Sequence, residues 1–128
     1  MRDFKTLKVW QNAHRLALAV YEATRGSPAE ERFGLAGQMR RAAAPIPANI
    51  AEGCGRSGDA ELARFLHIAM GSESGLEYHL LLSRDPGIFT DGMYELLARE
   101  LNEVKRMLDG FIQKLKSDSR HSVANANR

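Results

Sequence analysis

A chain of 128 residues has room for one ordinary domain with a single sizeable core. Hydrophobic residues make up 44% and charged residues 27%, which excludes a disordered or membrane-embedded chain, and no apolar run approaches the ~20 residues of a membrane span. A net charge of +2, from 18 basic and 16 acidic residues, excludes a globally basic nucleic-acid binder, so any such surface must be local.

The opening Met1-Arg2-Asp3-Phe4-Lys5 lacks the apolar stretch and cleavage site of a signal peptide, and the expected compartment is the cytoplasm. Leu7, Trp10, His14, Leu18 and Tyr21 recur at steps of three and four, predicting a first helix over about residues 6–25 with this stripe against the core. A second apolar line, Val9, Ala13, Leu16 and Val20, lies almost opposite and points to an oligomer interface, since a surface helix of a monomer does not need it. The alternative is a central helix enclosed by its own chain, but little chain remains to enclose it.

Gly26-Ser27-Pro28 stops this helix, and Ser27-Pro28-Ala29-Glu30 has the form of a capping box for the next one. The second helix, expected over about 33–54, keeps the apolar stripe Leu35, Met39, Ala42, Ile46 and Ile50. It should kink between Ala42 and Ile46, where Pro45 and Pro47 remove amide donors. Beside the stripe runs a polar row of Gln38, Arg41, Asn49, Glu52 and Arg56.

Ser57 is the expected cap of a third helix with Asp59 and Glu61 in its first turn; its core stripe is Leu62, Phe65, Leu66, Ala69, Leu76 and Leu80, through about Arg84. Glu73 falls within that stripe, where a carboxylate must either pair with a base or lie near an opening. After the Asp85-Pro86-Gly87 turn, Thr90 should cap a last helix carrying Tyr94, Leu97, Leu101, Val104, Leu108, Phe111 or Ile112, and Leu115. Residues 117–128 hold almost nothing to bury and are expected to form a loose, disordered tail, leaving 1–116 as the domain. The fold class is therefore all-α, a single up-down-up-down antiparallel four-helix bundle.

Chemistry is sparse. No histidine follows a glutamate by three residues, as di-iron bundles require, and lone Cys54 reads as a small buried side chain, so neither metal nor cofactor is expected. No phosphate loop or nucleophile elbow occurs, and His14 reads as a core or interface residue rather than a catalyst. The expectation is a protein that is not an enzyme. Arg40, Arg41 and Arg56, with Lys8, Arg15 and Arg64, are the candidate phosphate contacts, although Glu52, Asp59 and Glu61 can neutralise several of them. Gln38, Asn49 and Glu52 are expected to hydrogen-bond within the bundle or between subunits.

Phe4 to Leu7 with Val9-Trp10, Glu31-Arg32-Phe33-Gly34-Leu35, Gln38-Met39-Arg40-Arg41-Ala42 and above all Ile46-Pro47-Ala48-Asn49-Ile50-Ala51-Glu52-Gly53 form a specific combination. Arg64-Phe65-Leu66, Ala69, Gly71-Ser72 and Leu76-Glu77 continue it. In these residues the chain resembles the four-helix-bundle family first recognised as products of intervening sequences in bacterial 23S ribosomal RNA genes. The resemblance implies a ring-like homopentamer without catalytic activity, associated with RNA. A related branch serves diversity-generating retroelements by binding RNA and reverse transcriptase, so a protein-binding scaffold or adaptor for a polymerase is the competing class. The chain departs from the family pattern at Glu73, Gly75 and Pro86.

Overall fold

The computed structural model describes residues 2–26 and 34–126, with residues 121–126 described by backbone only. A 3-10 turn, Phe4–Thr6, leads into α1 (Lys8–Ala23); then come α2 (Leu35–Ala43), α3 (Pro45–Cys54), α4 (Asp59–Arg84) and α5 (Asp91–Ala126). The expected capping box at Ser27 and the helix start at Phe33 lie outside the described residues.

Helices α2 and α3 form one rod interrupted at Ala44, inside the stretch where the prolines foretold a kink. Ala44 itself keeps helical dihedrals, φ −60° and ψ −38°. Its N–H donates to the Arg40 carbonyl at 3.1 Å, and the Ala48 N–H donates to the Ala44 carbonyl at 3.3 Å. Pro45 and Pro47 thus delete two amide donors, while the bonds on either side hold the two halves together.

Four rods result. α1 packs against the α2–α3 rod and against α5, α4 packs against the same two elements, and no backbone contact joins α1 to α4 or the rod to α5 among the described residues. That is a square bundle with each helix touching two neighbours. Its direction alternates: the Arg2 N–H bonds the Cys54 carbonyl at 3.0 Å, tying the beginning of the chain to the end of the rod.

The core stripes of the rod, α4 and α5 fall as the sequence spacing placed them, with Met39, Ile46, Ile50, Leu66, Leu76, Leu80, Leu97 and Leu108 all buried. Helix α1 is the exception. Val9, Ala13, Leu16 and Val20, assigned from sequence to an oligomer interface, are buried in the chain's own core. His14, Leu18 and Tyr21, assigned to the core, are exposed, while Leu7 and Trp10 are half-buried. Small Ala13 and Ala17 let α1 approach its neighbours closely, so the narrower side chains turn inward and the aromatic ones outward.

Two local expectations also need correction. Gly58, with φ +86°, rather than Ser57, precedes α4, and no side chain caps that helix. The final helix does not stop at Lys116 but runs to Ala126. No glycine or proline follows Gly110 to end it. Poverty in apolar residues means only that Lys116 to Arg120 bury nothing, and the last core side chain is Leu115. Thr90 caps α5 as expected, its Oγ1 accepting from the Met93 N–H at 3.1 Å.

The rod comes close to α4 at Gly53, where a Cβ would lie 2.8 Å from Phe65 Cβ and 3.0 Å from Leu62 Cδ1. Phe65 Cβ is fixed to the α4 backbone and cannot yield by rotating. Gly53→Ala should therefore destabilise the protein by about 1–3 kcal/mol, through overpacking, visible as a lower midpoint in chemical denaturation.

Candidate functional site

The turning of α1 leaves an apolar groove between it and the rod. Phe4, Trp10, His14, Leu18 and Tyr21 form one wall and Ala44, Pro47, Ala48 and Ala51 the other. Trp10 is the hub of the first wall: its ring stacks on His14 with centroids 4.9 Å apart and planes inclined by 8°, and it meets Phe4 edge-on at 4.9 Å. Leu18 is 55% and Tyr21 43% exposed. No lining residue carries a carboxylate, ammonium or guanidinium group. Single exposed leucines are ordinary on a protein surface, but a contiguous aromatic and aliphatic strip marks a binding surface.

The six basic residues singled out from sequence do not form one patch. Arg40 closes the end of α1: its Nε donates to Thr24 Oγ1 at 2.7 Å, its Nη2 to the Tyr21 carbonyl at 3.2 Å, and its guanidinium lies 4.7 Å from the Tyr21 ring centroid. Those donors satisfy helix-terminal groups instead of facing solvent. Arg56 pairs with Glu52 at 3.2 Å and Arg64 with Glu61 at 3.2 Å, and both guanidiniums lie over Phe65. Arg40 lies in α2 and Arg56 beyond the C-terminal end of α3, so the whole length of α3 separates them. Arg41 is exposed on the polar row with Gln38 and Glu52, and it has no ion-pair partner among the described residues. Asn49 is half-buried, donating from Nδ2 to the Pro45 carbonyl at 2.8 Å, which supplies a polar contact beside the two missing amides.

Lys8 and Arg15 are brought to a different side. With Asn12 between them they follow one line of α1 towards α5, where Asn12, Arg15, Arg99, Glu100 and Glu103 line a cleft. Arg15 donates to Asn12 Oδ1 at 2.9 Å, and Glu103 is held by Arg106 at 2.8 Å. Lys8, Arg15 and Arg99 lack acidic partners within salt-bridge distance among the described residues. Arg99 was missed because it lies on α5, remote in sequence from the arginines of the rod.

Among the described residues Glu73 is the one carboxylate in the core, 1% exposed, beside a cavity of about 50 Å³ that Glu77, Tyr94 and Asn102 also line. Of the two alternatives left by the sequence, the opening is found and the basic partner is not: Lys105 reaches Glu77 instead, at 3.9 Å. Burial, reinforced by the like charge of Glu77, pushes the Glu73 carboxyl above its ordinary range against the weaker opposing effects of Lys105 and the Ser74 hydroxyl. A raised native value means that the folded state holds this proton more tightly than the unfolded chain. Its favourable contribution is complete below the ordinary glutamate pKa, near about 4.3, and is lost as pH rises through the native value. Glu73→Gln should therefore raise the denaturation midpoint at pH 7, and the advantage over the parent should shrink as the pH approaches 4.

No group of three histidine, cysteine or acidic side chains fit to hold a metal occurs among the described residues. Among the described residues no helix is long and apolar enough to cross a membrane.

Comparison with known proteins agrees with this architecture. The family model described as 23S rRNA-intervening sequence protein matches residues 5–110. A crystal structure of a protein of unknown function from the S23 ribosomal protein family of Bacteroides thetaiotaomicron VPI-5482 superposes with a TM-score of 0.74, covering 81% of this chain and 97% of that one. At 23% identity this likeness establishes the fold alone. A search of curated proteins returns no match.

Proposed function

The chain belongs to the family of 23S rRNA-intervening sequence proteins, and from that premise we propose that it is a non-catalytic, self-assembling protein whose assembled form associates with RNA. The observation that carries the reading is the charge-free aromatic groove between α1 and the rod. Covering Leu18, Tyr21 and the half-exposed Trp10 removes apolar area from water at about 25 cal/mol per Å², and a second copy of the chain is always available at the protein's own concentration.

The RNA part rests on the family's name and on Lys8, Arg15, Arg41 and Arg99, four of the exposed cations without acidic partners among the described residues. A single chain presents too few of them for strong phosphate binding. Repetition around an assembly multiplies the contacts and turns weak sites into an avid array. Arg40, Arg56 and Arg64 are assigned structural work instead, since their guanidiniums are already engaged.

Two measurements separate the parts of this reading. Light scattering should report a mass several times the 14.2 kDa of the chain, and a mass of one chain at working concentrations would leave the groove to a different protein. In filter-binding titrations on structured RNA, the double change Arg15→Ala with Arg99→Ala should weaken affinity and lower the slope of log K against log salt by about 2. Unchanged affinity and slope would remove this cleft from the RNA surface.

A further inference from the structure

The cleft between α1 and α5 holds more than cations. Its volume is about 310 Å³, at the lower end of the roughly 300–1,000 Å³ of small-molecule sites. Asn12 and Arg15 reach it from α1, and Arg99, Glu100 and Glu103 from α5. Two guanidiniums and two carboxylates thus share one recess without cancelling each other. Glu103 is engaged elsewhere, because Arg106 donates to both of its oxygens at 2.8 Å.

Glu100 has no such partner. It is half-buried, and its Oε2 is closed off from solvent with no hydrogen-bond partner among the described residues. A carboxylate oxygen stripped of water and given no donor is costly, so native structures rarely keep one. The side chain therefore gains from a donor that enters the cleft and draws it outward. Arg15 is occupied differently: its Nη2 donates to Asn12 Oδ1 at 2.9 Å, and the Asn12 amide nitrogen in turn donates to Met107 Sδ at 3.1 Å. Arg99 is the neighbour of Glu100 along α5, and successive side chains of a helix do not face each other.

A ligand that completes the recess must bring negative charge to the guanidiniums and N–H donors to Glu100. Phosphate alone supplies the first and repels the carboxylate, whereas a cationic side chain supplies the second and repels Arg15 and Arg99. A nucleotide supplies both, from its two ends. Guanine is the RNA base whose Watson–Crick edge carries two adjacent donors, N1–H and the 2-amino group, matched to the two oxygens of one carboxylate. Adenine and cytosine set one amino group beside an acceptor, and uracil sets one N–H between two acceptors, so each would oppose a lone pair to Glu100. The edge is free only where the base is unpaired, the state in which RNA sequence is chiefly read.

We propose that the α1–α5 cleft binds an unpaired guanine nucleotide of RNA, with Glu100 accepting from the Watson–Crick edge of the base and Arg15 and Arg99 holding phosphate. This rests on the RNA reading above and names the base that the cleft takes. The guanidiniums supply affinity without regard to sequence, and Glu100 supplies the choice of base.

The test measures fluorescence anisotropy of the full-length protein at low salt with short oligouridine strands that carry one central guanosine, adenosine or inosine. The guanosine strand should bind about tenfold more tightly than the adenosine strand, the discrimination of one good bidentate base contact. Inosine keeps N1–H and the 6-oxygen but lacks the 2-amino group, and its strand should fall between the two. In Glu100→Gln, which keeps the size of the side chain, the guanosine and adenosine strands should bind alike. In Arg15→Ala with Arg99→Ala, all three should weaken by the same factor. Equal affinity of the parent for the three strands would overturn the guanine site and leave the RNA reading standing. So would inosine binding as well as guanosine, a preference that survives Glu100→Gln, or failure of every strand while structured RNA still binds. Free guanosine 5′-monophosphate competing as well as the unlabelled guanosine strand would overturn the assignment to RNA and leave a nucleotide site. A parent that binds neither the strands nor structured RNA, and no free nucleotide, would overturn both readings.

Discussion

A square bundle gives each helix two neighbours, and that constraint governs the molecule. Two neighbours hide one side of a helix, so any apolar residue beyond that side remains in water. Helix α1 resolves the conflict by turning Ala13, Leu16 and Val20 inward, which sends Trp10, Leu18 and Tyr21 to the surface. Helix α4 meets the same limit with Leu66, Ala69, Leu76 and Leu80 inside, and with Ile68, Tyr78 and Leu82 left outside. The chain therefore has more apolar helix surface than its own four rods can cover, and Ile88 and Leu96 are exposed besides these two sides.

The arginines show the same economy of position. Arg40 is the joint between the end of α1 and the rod, bonding Thr24 Oγ1 and the Tyr21 carbonyl. In doing so it holds the aromatic ring of Tyr21 at the rim of the groove. Arg56 and Arg64 cover Phe65, the same side chain that fixes Gly53 against α4. Guanidinium planes over aromatic rings extend the apolar packing to the surface while their charge stays hydrated or paired. Cations left for an external polyanion include Lys8, Arg15 and Arg99 on the α1 and α5 side and Arg41 on the rod, while Lys5 lies beside the groove, 5.9 Å from the Phe4 ring centroid.

Most of the fold was legible in the sequence, because the rod and α5 each carry one dominant core stripe whose spacing identifies its buried side, and on α4 the Leu62 to Leu80 stripe is the buried one although apolar residues lie around the helix. Helix α1 carries two, Val9 to Val20 and Leu7 to Tyr21, and periodicity alone does not say which faces inward. Size would have decided it: the close approach of helices in a small bundle favours the line containing Ala13 over the one containing Trp10. The existence of a surplus apolar face on α1 was correctly read while its residues were exchanged. The exposed apolar side of α4 is not legible from periodicity, because Ile68, Tyr78 and Leu82 follow the same three-four spacing as the core line Leu62, Leu66 and Leu76. The scatter of the basic residues was not legible either, since equal steps along one rod say nothing of how far apart Arg40 and Arg56 lie or what each one touches.

Trp10 is the chain's only tryptophan, and it lines the groove, so the shielding of its indole reports whether the groove is covered. The account predicts that acrylamide quenches Trp10 fluorescence markedly more in dilute than in concentrated solutions of the protein, as assembled copies separate. Equal quenching at all concentrations would contradict it.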